Sequence, residues 1–147
     1  MIVELHDGNE RRGILYAAAS GPGGGPARLI DRLNDGDERF LPLTDGKQGW
    51  LLNKDWIVRI AVAADHQALE LESDAGTRRV EVRLEMAAGP ALEGSIFYTM
   101  PPDKRRLLDY MNAGGRFIPL RQGGGAWLVN RDYVAQVIDK SEQADGD

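Results

Sequence analysis

A short polar motif occurs twice in the sequence and carries residue types that could bind a ligand or a partner. Asn-Lys-Asp-Trp occupies residues 53–56, and Asn-Arg-Asp-Tyr occupies residues 130–133. An amide, a cation, a carboxylate and an aromatic ring could together contact a polar ligand or anchor another protein. The same residues suit a tight turn, because Asn and Asp side chains bond to nearby backbone. Both interpretations stay open, and the candidate binding residues are Asn53, Lys54, Asp55, Trp56, Asn130, Arg131, Asp132 and Tyr133.

Motifs for catalysis and metal binding do not stand out. The sequence has no cysteine, which excludes thiolate catalysis, disulfides and cysteine-based zinc sites. No serine lies in a Gly-x-Ser-x-Gly motif, and neither His6 nor His66 has a second histidine at metal-ligand spacing. The glycine-rich segment at 21–25 lacks the Gly-Lys-[Ser/Thr] ending of a phosphate loop, so we interpret it as a connector. We therefore predict a protein that is not an enzyme and that uses no metal or cofactor.

Composition and charge limit the classes of partner. The chain has 147 residues, with 18 Lys and Arg against 23 Asp and Glu, which gives a net charge of −5. This charge disfavours a broadly basic surface for nucleic acid or membrane. The hydrophobic fraction of 42% is sufficient for a folded core. Apolar stretches are too short for a signal core or a membrane span, so we expect a cytoplasmic protein.

Internal repetition is the strongest pattern in the sequence. Three blocks recur in the same order, with 12 of 24 aligned positions identical. They pair RLIDRLN (28–34) with RLLDYMN (106–112), RFLPL (39–43) with RFIPL (116–120), and GWLLNKDWIVRI (49–60) with AWLVNRDYVAQV (126–137). Such a match predicts a duplicated structural unit.

Domain boundaries follow from this alignment. The first repeat covers 1–63 and the second covers 78–140. Residues 64–77 are polar and predict a linker or a short strand, and residues 141–147 form an acidic tail that we expect to be flexible.

Each repeat has the pattern of a small β unit. Alternating apolar residues at 3–5 precede the hairpin signal Asp7-Gly8, and a second short strand follows. The apolar spacing in 28–34 and 106–112 predicts a short helix that ends at an asparagine. Three further strands complete the repeat. The fold class is therefore mainly β, with two tandem small β-barrels of about five strands and one short helix each, related by a pseudo-twofold duplication.

Aromatic residues divide into two groups. Phe40, Phe117, Trp50 and Trp127 alternate with polar residues on predicted strands, so we expect them in the core. Trp56 and Tyr133 directly follow the Asn-[Lys/Arg]-Asp motif, where they could cap the barrel or form a surface anchor.

The segments VELHDGNERRGIL and LLNKDWIVRI resemble the first hairpin and the last strand turn of Sm-like and SH3-like barrels. Here, however, the helix falls between strands two and three rather than before the first strand. The phrase RLxDxLN…RFxPL also resembles an uncharacterised bacterial domain family that brings no known activity. The resemblance to Sm-like proteins implies RNA binding as an alternative function, with oligomers as a consequence.

Our leading functional hypothesis is a non-enzymatic protein-interaction module, acting as an adaptor, assembly or regulatory subunit. A small duplicated β unit offers open strand edges that can accept another strand. The expected partner is a protein, a second copy of the chain included. Nucleic acid and membranes are disfavoured as partners, but RNA stays open as the partner that the Sm-like resemblance implies.

Overall fold

A computed structural model describes residues 1–15, 29–63, 78–98 and 107–140, and these residues form a mainly β protein, as predicted. They contain eleven strands, two short α-helices and two 3₁₀ turns. No helix among them is long and apolar enough to cross a membrane. The predictions for the glycine-rich segment, the linker at 64–77, the start of the second helix and the tail at 141–147 lie outside the described residues.

The elements follow the predicted order in both halves of the sequence. The first half contains β1 (Ile2–Leu5), β2 (Glu10–Arg12), β3 (Ile14–Leu15), α1 (Leu29–Asn34), β4 (Phe40–Thr44), β5 (Gly49–Asn53), the first 3₁₀ turn (Lys54–Trp56) and β6 (Ile57–Ala63). The second half contains β7 (Arg78–Met86), β8 (Leu92–Tyr98), α2 (Leu107–Met111), β9 (Phe117–Gln122), β10 (Gly125–Asn130), the second 3₁₀ turn (Arg131–Tyr133) and β11 (Val134–Asp139).

The strands form two open sheets. The larger has the order β11-β7-β8-β9-β10-β6-β1-β2, and the smaller has the order β3-β4-β5. Pairings among the described strands do not close a barrel. Gly13 separates β2 from β3, so one bent stretch of chain contributes to both sheets.

Close backbone approaches explain two glycines, one between β2 and β3 and one within β8. A Cβ atom on Gly13 would lie 2.3 Å from the carbonyl oxygen of Thr44, and one on Gly94 would lie 2.3 Å from that of Arg121. Such distances are far inside van der Waals contact, so only glycine fits where β2–β3 passes β4 and where β8 passes β9.

The β6–β10 pair joins the two halves of the chain. The strands run antiparallel, with Leu128 opposite Ile60 and Val129 opposite Arg59. Phe117, Ala126 and Leu128 from the second half complete a core cluster whose other buried members all come from the first half. The first half therefore buries its core only together with the second.

The core predictions succeed for one phenylalanine and fail for the other. Phe117 is 2% exposed, as predicted, whereas Phe40 is 49% exposed and its prediction as a core residue is wrong. Both residues begin the strand after their helix, but described residues of the other half cover only Phe117. Trp50 and Trp127 are partly buried and pack against the two cores.

Phe117→Ala should lower the free energy of unfolding by about 3–5 kcal/mol, because it leaves a cavity in a packed core. Ile14→Ala is the control, since Ile14 is 67% exposed and its truncation should cost less than about 0.5 kcal/mol. Urea unfolding followed by tryptophan fluorescence measures both. Equal losses in the two variants would contradict the core assignment of Phe117.

Candidate interaction surfaces

The repeated asparagines build the turns that precede the last strand of each half. The side-chain oxygen of Asn53 accepts a hydrogen bond from the Asp55 N–H at 2.9 Å, and that of Asn130 accepts one from the Asp132 N–H at 3.0 Å. Each asparagine thereby caps a 3₁₀ turn from an extended backbone conformation. The prediction of a tight turn is confirmed, and the asparagine amides are engaged within the chain.

Lys54 points into the protein. Its side chain is 3% exposed, and Nζ donates to the carbonyl oxygens of Arg32 and Asp35 at the end of α1. The Glu38 carboxylate lies 3.4 Å from the same nitrogen. Burial lowers the pKa of Lys54, and the nearby Glu38 charge only partly offsets this effect. An ammonium group at a helix C-terminus satisfies carbonyls that the helix leaves unpaired.

Arg131 has the same role at the end of α2. Its Nη1 donates to the carbonyl oxygen of Met111 at 3.0 Å and to that of Ala113. The cations of both copies of the motif therefore stabilise helix ends, and Lys54 in particular does not present its charge to solvent.

The structure brings the two 3₁₀ turns side by side. The Tyr133 hydroxyl donates to the Asp55 carbonyl oxygen at 2.8 Å. The Arg116 guanidinium lies 2.5 Å from the Asp55 carboxylate and 3.6 Å from that of Asp132. The buried Asn130 amide donates to the Ile57 carbonyl oxygen at 2.8 Å. Two motifs that are far apart in sequence thus form one continuous region.

The exposed part of this region is aromatic and charged, and we call it the paired-turn surface. The centroid of the His6 ring lies 4.1 Å from that of Trp56 and 6.4 Å from that of Tyr133. Neither His6 nor Arg116 belongs to the repeated Asn-[Lys/Arg]-Asp motif, so the sequence did not mark either of them as part of this surface. The paired-turn surface consists of His6, Asp55, Trp56, Arg116, Asp132 and Tyr133.

The pocket beside the first turn carries charges of both signs. It is lined by Arg39, Lys54 and Arg116 but also by Asp35 and Glu38. Mixed charge does not single out a phosphate group as its ligand. Within the described parts of the chain, no group of three or more His, Cys, Asp or Glu side chains could hold a metal ion.

Two strand edges form the second candidate surface. Four of the described strands have a single neighbour. Strands β2 and β3 are only three and two residues long, whereas β5, which pairs with β4, and β11, which pairs with β7, have five and six residues. Leu51 on β5 is 65% exposed, and Phe40 on the neighbouring strand and Leu108 on α2 are exposed as well. We call β5 and β11 the open edges. Exposed apolar side chains next to an incompletely paired strand are typical of interaction surfaces.

Comparisons of the chain with protein-family models, with curated proteins and with solved structures give no match. The case for a function therefore depends on the geometry of the two surfaces.

Lys54→Ala should lower the free energy of unfolding by about 3 kcal/mol, because it leaves helix carbonyls and the Glu38 carboxylate without their buried donor. Lys47→Ala is the matched control, since Lys47 is exposed in the β4–β5 turn and its loss should change stability by less than about 0.5 kcal/mol. Chemical denaturation measures both variants. A Lys54→Ala protein as stable as Lys47→Ala would show that Lys54 does not stabilise the helix end.

Glu38 should make stability depend on pH in the acid range. Burial raises its pKa, but the hydrogen bond and charge of Arg32, together with Lys54, outweigh burial and hold the pKa below its ordinary value of 4.5. The folded state therefore favours the ionised form. Its contribution is present above about pH 4.5 and is lost as the pH falls through the lowered pKa.

Glu38→Gln should accordingly be less stable than the wild type at pH 7, and the difference should shrink as the pH falls below about 4.5. Urea unfolding at several pH values between 3 and 7 measures it. A difference that is constant across this range would contradict the ionic role of Glu38.

Proposed function

We propose that this chain is a non-enzymatic protein-interaction module, acting as an adaptor, assembly or regulatory subunit. The observation that carries the proposal is the 65% exposure of Leu51 on a five-residue strand that pairs on only one side among the described strands. Phe40 extends the apolar surface on the adjacent strand β4.

Strand addition is the mode of recognition that this surface supports. An edge strand offers backbone N–H and C=O groups that a further strand can pair with, while exposed side chains determine which strand fits. Complete burial of one leucine or phenylalanine contributes about 1.5–3 kcal/mol. Leu51 and Phe40 together therefore supply a useful share of the binding free energy, and backbone pairing adds to it.

We also propose that the chain is a duplication of one five-stranded unit of the Sm-like or SH3-like type. The neighbour order β6-β1-β2 with β3-β4-β5 in the first half matches β11-β7-β8-β9-β10 in the second. The close approaches at Gly13 and Gly94, and the helix ends held by Lys54 and Arg131, support the same correspondence. The absence of cysteine fits our proposal of a cytoplasmic location.

RNA binding remains the alternative that the Sm-like resemblance implies. Lys54 would be its first candidate contact, but that side chain is buried against α1. We therefore favour the protein-interaction function, and a nuclease treatment separates the two.

The test is a pull-down from native lysate with tagged wild type, Leu51→Asp and Ile14→Asp, each with and without nuclease and read by mass spectrometry. We expect a discrete set of proteins that survives nuclease. Leu51→Asp should lose that set because a buried, unpaired carboxylate is costly. Ile14→Asp should keep it, since Ile14 is equally exposed but lies on β3, an edge strand of only two residues that is too short to pair with a full strand. Recovery that collapses with nuclease would contradict the proposal and favour RNA binding.

A further inference from the structure

We propose that the two open edges fit each other, so that β5 of one chain pairs antiparallel with β11 of a second copy. The inference rests on the proposed function and names its partner as a further copy of this chain.

The template for the contact is the β10–β6 pair inside the chain. In the repeat alignment, β10 corresponds to β5 and β6 corresponds to β11. Each of the two strands in this internal junction thus has its repeat counterpart at one of the open edges. Strands at equivalent positions of the repeat to an observed pair are candidates to form that pair with another molecule.

Burial on the β5 side shows what the internal junction covers. Leu128 on β10 is fully buried, whereas its counterpart Leu51 is 65% exposed. Phe117 is buried within a cluster of first-half residues, whereas its counterpart Phe40 is exposed. Residues of the first half cover Leu128 and Phe117 at the internal junction, and no described residue covers Leu51 and Phe40 in the same way. The lower burial of Leu51 and Phe40 is what the absence of a neighbouring strand would produce.

The β11 side shows the complementary difference. Val58 and Arg59 on β6 are buried, whereas their counterparts Ala135 and Gln136 on β11 are exposed. The two helices differ in burial in the same direction. Helix α1 buries three residues, whereas none of the five described residues of α2 is fully buried. In the second half, the strand and the helix are therefore less buried than their first-half counterparts, which lie at the junction.

A side chain that makes a polar contact at the internal junction also has an exposed repeat counterpart. The Asn34 side chain accepts from the Phe117 N–H at 2.7 Å and donates to the Phe117 carbonyl oxygen at 3.2 Å. In the repeat alignment, Asn112 corresponds to Asn34 and is exposed after α2. In the proposed contact, Asn112 would bind the backbone of Phe40 of the second copy in the same way.

The internal register fixes the register between copies. Leu128 lies opposite Ile60, so Leu51 of one chain should lie opposite Val137 of the next. Because every chain carries both edges, the contact is head-to-tail and repeats until a ring closes or a filament forms.

The first test is the mass in solution, measured by size-exclusion chromatography with light scattering. We expect the wild type at a multiple of 16.2 kDa, Leu51→Asp at the monomer mass and Asn112→Ala with at least a tenfold weaker association. Ile14→Asp is the control and should keep the wild-type mass. Circular dichroism on every variant checks the fold. A monomeric wild type at about 100 μM, or an oligomer that Leu51→Asp leaves intact, would overturn the proposal.

The second test determines the register and uses the natural absence of cysteine. Directly opposite residues of antiparallel strands have Cα atoms about 4.5–5.5 Å apart, within the range of a disulfide. Leu51→Cys with Val137→Cys should therefore give a covalent ladder of chains under oxidation. Leu51→Cys with Ile138→Cys is the control, because a one-residue shift places the second thiol on the other face. Equal ladders in both proteins, or no ladder in the first, would contradict the register.

These outcomes are distinguishable from failure of the proposed function. A monomeric chain that still captures proteins by a contact sensitive to Leu51→Asp would refute self-pairing but retain the interaction module. A monomeric chain that captures nothing would refute both.

Discussion

The pairing of β10 with β6 is the interaction on which the rest of the structure depends. It aligns five strands from the second half with three from the first in one sheet. Arg59 in this pair is buried, forms an ion pair with Glu4 at 2.9 Å and donates to the Pro90 carbonyl oxygen at 2.8 Å. The same pairing brings the two 3₁₀ turns together and therefore creates the paired-turn surface. Without it, one hydrophobic core would lose three of its buried members.

The repeated polar motif shows how one set of residues can serve the fold first and a surface second. Its asparagines cap turns and its cations hold helix ends, so these side chains are hydrogen-bonded within the chain. Its carboxylates and aromatic rings remain at the surface and meet His6 and Arg116 there. Side-chain length explains why the cations reach the helix ends and the carboxylates are exposed. A long cationic side chain can reach a helix terminus across the turn, whereas the short aspartate side chain stays outside.

Local features of the fold could be predicted from the sequence, and features that depend on distant contacts could not. The order of strands and helices, the Asp7-Gly8 hairpin and the Asn-capped turns follow from short-range patterns. Alternation assigned Phe40 and Phe117 to the core alike, but it defines only the face of a strand and not whether another element covers that face. The direction of Lys54 was equally hidden, because its acceptors lie about 20 residues earlier in the chain.

The shared core has a consequence for how the chain folds during synthesis. The first half leaves the ribosome before Phe117, Ala126 and Leu128 exist, so its apolar cluster stays incomplete and β6 lacks one neighbour. Contacts between residues so far apart in sequence are slow to form, since the intervening chain must first lose conformational entropy. The chain is thus most prone to aggregate while only its first half has been synthesised. Synthesis and folding of the second half cover the exposed apolar residues.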